Sequence, residues 1–325
     1  MVGRFPVVLS LSLLLFISLA LFPGPARGEG FAQWLAGFKG EAVARGIDSR
    51  IVSKALDGAA PRARVISKDR NQPEFTFSLN AYLKRLVSRK RVSKGRRMYV
   101  RYRPTLDRVT DRYPVDPEIL VALWGIESDY GRLTGGFPVM GALATLAYDL
   151  RRREYFSAEL LAALKLVNKG LVPLESLKGS WAGAMGPLQF MPSVFLDYGV
   201  DFNGDGRIDP WRSHGDLFAS GANYLVDSGW KDGVGCVWPV SWRGGGRVAI
   251  PAAGERHDLA FWRLCGFVPA DPWSAPRNVK TRIIAPEGEK GPLFAVSSNY
   301  DVLLKWNRSH SFALAVARLA RTISR

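Results

Sequence analysis

The stretch PEILVALWGIESDYG, Pro117 to Gly131, constrains this chain more than any other segment. It is apolar through Leu120, Val121, Leu123, Trp124 and Ile126 at helical spacing, so it reads as a helix packed into a helical core. Asp116 stands where an N-cap belongs, Pro117 suits the first helical position, and Gly131 suits the left-handed residue that ends a helix. On such a helix Leu120, Trp124, Glu127 and Gly131 fall at i, i+4, i+7 and i+11, one continuous face. Glu127 therefore points where its neighbours are apolar. Lost hydration penalises a carboxylate more than a carboxylic acid, so its pKa is expected to rise, the environment a general acid needs. A structural Glu, paired with an arginine or with backbone amides, is the alternative reading.

The rest of the chain is mainly helical by the same periodicity. Helices are expected in FAQWLAGFKGEAVARGI, IVSKAL and FTFSLNAYLKRLVSRKRVSKG, then from about Val139 through LATLAYDL, from Glu154 to Val167, and through LFASGANYLVDSGW. The basic run Arg85 to Arg97 reads first as a solvated helix face and second as a binding patch. From Gly233 the texture changes. Closely spaced Gly and Pro break up VWPVSW, RVAI and KTRIIAP, which read as short strands. The expected organisation is a helical domain over residues 29–234, a small antiparallel β domain over 235–296, and a helical segment over 297–325 that packs back on the first.

The 17 residues from Pro6 to Phe22 are apolar and follow Arg4; Ala26 and Gly28 then offer small residues around a cleavage site. Residues 1–28 are expected to be a secretory signal peptide, with an uncleaved anchor as the alternative. The chain carries 45 Lys and Arg against 29 Asp and Glu. Removing residues 1–28 takes away Arg4 and Arg27 and no acid, so the folded part keeps a formal +14. That balance favours an anionic partner: nucleic acid, a membrane surface or an acidic polymer. The two cysteines, Cys236 and Cys265, form a reasonable disulfide in an exported protein, with two buried thiols as the alternative. Three histidines, none at ligand spacing from a Cys, disfavour zinc.

Two further segments carry chemistry. In DFNGDGRID, Asp201, Asn203 and Asp205 stand at positions 1, 3 and 5, Gly206 at 6, and Arg207 at 7 offers its carbonyl. This is the first half of an EF-hand calcium loop. Arg212 replaces the bidentate Glu at position 12, so Asp209 or Asp216 must complete the shell. In SWAGAMGPLQFMPSVF, the small residues from Ala182 to Gly186 permit close backbone approach, and Ser180 and Gln189 can hydrogen-bond a neutral polar ligand such as a sugar. A tight packing turn explains the same residues.

Taken in order, WGIESDYG, ALATLAYD, RREYFSAEL, KGSWAGAMGPLQFMPS, DFNGDGRID, ANYL and KWNRSHSFALAV resemble the lytic murein transglycosylase B family. The resemblance covers most of the chain after Arg103. It implies an α+β, mainly α fold: a lysozyme-like helical domain with a deep cleft and a small β domain beside it. It also implies non-hydrolytic cleavage of the β-1,4 bond between N-acetylmuramic acid and N-acetylglucosamine in peptidoglycan, leaving 1,6-anhydro ends. Glu127 matches the family's single acid and base. Ser180 and Gln189 match cleft residues, Arg151 and Arg152 match a basic pair of the substrate region, and Trp306 with Asn307 is expected to face the cleft. The metal loop maps onto Asp201, Asn203, Asp205, Arg207 and Asp216, with calcium structural and no cofactor for the chemistry. No Cys follows the apolar N-terminus, so the chain resembles the soluble, periplasmic members. Its expected partners are glycan strands and cell-wall synthesis proteins, without stable membrane insertion; the export signal and the acidic loop argue against nucleic acid. Two readings remain beside this one: a hydrolytic muramidase, with Asp129 or Asp149 as base, and a non-catalytic, calcium-stabilised wall-binding protein.

Overall fold

The computed structural model describes residues 30–71, 77–252, 254–270 and 278–324. The expected signal peptide lies outside them. Among the described residues, no helix is long and apolar enough to cross a membrane.

Two helices form the centre of the molecule. They are α7 (Pro117–Ser128) and α8 (Val139–Tyr148), and every residue of Val139–Ala147 and nearly every residue of Ile119–Ser128 is buried. Their predecessors are α1 (Phe31–Ala44), α2 (Ser49–Leu56), α3 (Ala63–Arg70), α4 (Leu79–Leu86), α5 (Arg89–Arg101) and α6 (Arg103–Arg112). After α8 come α9 (Arg153–Asn168), α10 (Pro192–Tyr198), α11 (His214–Asp227), α12 (Leu259–Leu264), α13 (Ser298–Trp306) and α14 (His310–Ile323). Helices α5, α11 and α14 pack around α7, and α9 packs on α8. The apolar circumference of α7 is thus covered by elements distant in sequence, as a helix without a polar face requires.

The helix expected through FTFSLNAYLKRLVSRKRVSKG begins at two residues, Phe75 and Thr76, outside the described ones, and over the remainder it is two helices. The Ser88 hydroxyl accepts from the Arg91 amide, starting α5 afresh after the turn at Val87. Helices α3 and α6 carry too few apolar positions to register by periodicity; Val65 alone is the buried apolar residue of α3, and Leu106 with Val109 are those of α6.

Among the described residues there are two antiparallel sheets. A two-residue ladder joins β1 (Phe137–Pro138) to β2 (Lys178–Gly179). The larger sheet has the order β4-β3-β6-β5, from β3 (Val237–Trp242), β4 (Phe267–Pro269), β5 (Arg282–Ile284) and β6 (Leu293–Val296). RVAI is not a strand; residues 247–250 form no ladder. The sheet and α12 enclose their own core of Trp238, Val240, Trp262, Phe267, Ile283 and Leu293. Chain entry and exit are stitched together where this unit leaves the helices. Buried Asn299 donates to the carbonyls of Lys231 (2.7 Å) and Val234 (2.6 Å) and accepts from the Lys231 amide, while Ser297 Oγ donates to the Gly235 carbonyl.

The expected Cys236–Cys265 disulfide is absent: both thiols are free, Cys236 buried and Cys265 exposed. Register explains it. Trp242 pairs with Phe267, so Cys265 sits beyond one end of β3, whereas Cys236 precedes the other end. Six residues of extended chain separate those ends by about 20 Å, and a disulfide needs Cα atoms within about 7 Å. Burial pushes the Cys236 thiol far up, so it stays protonated.

Candidate active site

Glu127 is the penultimate residue of α7, half-exposed between buried Ile126 and Ser128. The helix stops sooner than Gly131. Asp129, Tyr130 and Gly131 all take positive φ, 50°, 57° and 78°. Two consecutive non-Gly residues in that region are costly, and the surroundings hold them there. Asp129 is paired with Arg132 at 2.6 Å, its carbonyl accepts from Lys94 Nζ, and buried Tyr130 donates to the Arg91 carbonyl. Ser128 Oγ closes the turn by donating to the Trp124 carbonyl and accepting from the Gly131 amide. The result fixes the end of α7 immediately behind Glu127. At the other end of α7, Asp116 makes no side-chain cap; it accepts from the Trp230 indole at 3.2 Å. Burial, then the charges of Glu118 and Asp232, push Asp116 up to about 6.

One oxygen of Glu127 is held across the molecule: Trp306 Nε1–H donates to Oε1 at 2.8 Å. Trp306 is the last residue of α13, and its ring lies 5.0 Å from both Phe190 and Tyr224. Tyr224 in turn meets Tyr198 edge-on at 5.0 Å. Glu127 is thereby joined to an aromatic wall of Trp306, Phe190, Tyr224 and Tyr198. Asn307, exposed, accepts from the Ser309 amide in the turn before α14.

The Gly-rich segment folds as a compact ladder beside this wall. Backbone bridges join Gly179 to Met185 and Met185 to Phe190. Ser180 Oγ accepts from the amides of Ala182 (3.2 Å) and Ala184 (3.1 Å), so its hydroxyl shapes the turn and keeps its proton to donate. Gln189 takes φ 51° and donates its amide to the carbonyls of Gly186 and Thr134. That ties the ladder to the segment after Gly131 and leaves Oε1 as the acceptor. The small residues serve packing within the chain: a Cβ at Gly183 would strike Leu143, and one at Gly135 would strike the Gly179 backbone.

Arg151 and Arg152 both form ion pairs with one carboxylate, that of Asp69 at the end of α3. Asp69 is 5% exposed. Arg152 also lies over the Phe156 ring at 4.9 Å. Two guanidinium groups on one acid leave a fixed surplus positive charge at the surface. None of the contacts that tie this pair involves Glu127, Ser180 or Gln189. Another buried acid, Glu159, accepts from Ser193 N (3.0 Å) and Ser193 Oγ (2.7 Å), pinning α10 to α9. It reads as structural.

In the acidic loop, Asp201 accepts from the amides of Gly204, Asp205 and Gly206, and Asp205 accepts from Arg207 N. Asp216, fully buried, accepts from Phe202 N, Asp209 N and Ser213 Oγ. Its oxygens clamp the loop to the start of α11. Among the described residues, no three His, Cys, Asp or Glu side chains are gathered closely enough to hold a metal. The expected set of Asp201, Asn203, Asp205, Arg207 and Asp216 is thus assembled as a hydrogen-bonded loop; its donors are all oxygen, the chemistry a hard cation takes.

A family model described as a transglycosylase SLT domain matches residues 30–321. The chain belongs to this family. As a lytic transglycosylase it is 30% identical over 292 residues, 86% of this chain and 75% of the relative, to membrane-bound lytic murein transglycosylase B of Escherichia coli (strain K12). It is similar to SltB3 of Pseudomonas aeruginosa, solved with NAG-anhNAM-pentapeptide, at 39% identity and TM-score 0.84 over 91% of this chain and 80% of that one. It is also similar to the Escherichia coli lytic transglycosylase Slt35, solved with calcium, at 29% identity and TM-score 0.74 over 89% of this chain and 92% of that one. The lysozyme-like, mainly helical fold is therefore established.

In this transglycosylase, sequence reasoning missed Asp69 and Phe190. Asp69 lies in a short helix with little periodic signal, and nothing local relates it to arginines 82 and 83 residues away. Phe190 was legible only as a neighbour of Gln189.

Proposed function

We propose that Glu127 carries the transglycosylase reaction alone, as acid and then as base. The observation that supports this most is the Trp306 N–H bond to Oε1, which orients the carboxyl group beside the aromatic wall. In the first step the Glu127 carboxylic acid protonates the glycosidic oxygen while the bond from muramic C1 to that oxygen breaks. The carboxylate then takes the proton of the C6 hydroxyl, whose oxygen bonds to C1 and closes the 1,6-anhydro ring. Glu127 ends protonated and no water is consumed, so no second carboxylate at hydrolase spacing is called for. Ser180 Oγ and Gln189 Oε1 supply donor and acceptor for the sugar, the aromatic wall supplies stacking faces, and Asn307 lies at its rim. Arg151 and Arg152, locked by Asp69, face the carboxylates of stem peptides such as that bound by SltB3.

Asp201, Asn203, Asp205, the Arg207 carbonyl and Asp216 are the residues that would hold calcium, as the calcium complex of Slt35 encourages. The ion would stiffen a loop and take no part in bond cleavage. The N-terminal apolar run and the family's substrate support a periplasmic location, with glycan strands as partner and cell-wall synthesis proteins as further candidates.

Glu127→Gln, incubated with purified sacculi, tests the reading. It should bind them and lose at least about a hundredfold in release of muropeptides; undiminished release removes Glu127 from the mechanism. Product mass decides the chemistry: anhydro ends are one water lighter than hydrolysed ends, and hydrolysed products alone would make the enzyme a muramidase.

A further inference from the structure

We propose that the outward face of α5 is an electrostatic docking surface for a bilayer of anionic phospholipid, separate from the catalytic cleft. Residues 79–101 hold nine Lys and Arg and no acid. On α5, Arg89, Lys90, Arg96, Arg97 and Arg101 are all exposed and fall within about 140° of the helix circumference. The opposite face carries Gly95, which is packed against Tyr130 and Ile323. The same Tyr130 ring covers Gly125, and Gly125 and Glu127 point about 160° apart around α7. The basic face therefore looks away from Glu127.

Little on the protein neutralises it. The acids near α5 are Asp129, on the buried side, already paired with Arg132 and lying 3.9 Å from Arg91 and Lys94, and, on the Tyr99 side, Glu118 and Asp107, the latter paired with Arg103. Helix α14, fixed to α5 by Arg96 Nε donating to the Thr322 carbonyl, carries no acid and adds Arg318. Charge on this scale, all of one sign, demands a polyanion.

The shape and composition favour a bilayer over a wall polymer. The face is the convex side of a helix, where a glycan strand would need a groove and free aromatic faces. The exposed aromatic of the adjoining segment, Phe77, is covered by the Arg85 guanidinium at 5.4 Å. At the centre of the basic face stands Val100, 73% exposed, an apolar side chain placed to enter the headgroup layer between arginines. Arginine predominates over lysine, and its planar fork matches phosphate oxygens in pairs.

Sedimentation of the full chain with vesicles tests this. Vesicles of mixed phosphatidylglycerol and phosphatidylcholine should retain the protein at low salt and release it in high salt, and vesicles of phosphatidylcholine alone should retain little. Arg89→Gln, Arg96→Gln and Arg97→Gln together should weaken binding to the anionic vesicles on the order of a hundredfold, with turnover of soluble glycan unchanged. A second triple, Arg89→Gln, Lys90→Gln and Arg101→Gln, keeps the Arg96 tie to α14 and should behave alike. An N-terminal apolar segment that inserts would hold both lipid compositions equally, so the difference between them isolates the charge. Undiminished affinity of both triples for anionic vesicles overturns the proposal. So does a loss confined to sacculi, which would make the face a wall-polymer site.

Discussion

The Trp306 indole N–H points at Glu127 Oε1 from 2.8 Å, joining residues 179 positions apart through a side chain that is also part of the aromatic wall. A hydrogen bond to an ionised group contributes about 1.5–3 kcal/mol. In the proposed reaction it acts most strongly while the carboxylate is negative. Trp306→Phe keeps the ring contacts with Phe190 and Tyr224 and removes the donor. It should lower kcat by roughly 10- to 100-fold and leave KM and the melting temperature nearly unchanged, as steady-state assays on soluble glycan and calorimetry would read. A large rise in KM with kcat intact would make Trp306 a sugar platform only.

The ion-pair cluster at Asp69 makes the exposed arginines matter to stability. Arg151→Ala with Arg152→Ala leaves a buried carboxylate without either guanidinium. Breaking a fully buried pair costs about 3–5 kcal/mol; the arginines are half-exposed, so a loss of about 1–3 kcal/mol is expected in urea unfolding. The triple variant that adds Asp69→Asn should recover part of it. No recovery would mean that the arginines stabilise the fold by packing alone.

Asp116 predicts a pH dependence of stability. Its native pKa of about 6 lies above the ordinary 3.8, so the native state binds the proton more tightly than the unfolded chain. The stabilisation is complete below about pH 4 and is lost as pH rises through 6. Asp116→Asn keeps an acceptor for the Trp230 indole and removes the charge. It should raise stability at pH 7–8 by on the order of 1 kcal/mol, after allowance for partial exposure, and add nothing near pH 4. Equal effects at both pH values would contradict the assignment.

Calcium in the acidic loop should act on stability. Added calcium binds the native state alone, so a hundredfold excess over Kd stabilises by about 2.7 kcal/mol and raises the melting temperature by several degrees. Asp205→Ala should abolish that rise while altering turnover little. A melting curve indifferent to calcium in the parent chain would leave the loop to its own hydrogen bonds.

Much of the fold was legible because its signals are local. The apolar helix around Glu127 had to lie at the centre of a helical core, and Gly and Pro after Gly233 announced the change from helix to sheet. The failures share a cause. RVAI resembled a strand by composition and found no partner, and Cys236 and Cys265, the two cysteines of an exported chain, suggested a disulfide but lie past opposite ends of β3. Helices α3 and α6 were silent because a two-turn helix needs only one or two buried side chains.

The sequence by itself determined the family, the acid and the apolar helix that carries it, since motif order and 3.6-residue periodicity are written along the chain. Only the tertiary structure decided which groups touch that acid and those arginines. Trp306 reaches Glu127, Asp69 gathers Arg151 and Arg152, and Gln189 turns its amide inward to Thr134. Each is a contact between segments whose separation carries no periodic trace, fixed by packing rather than by local propensity.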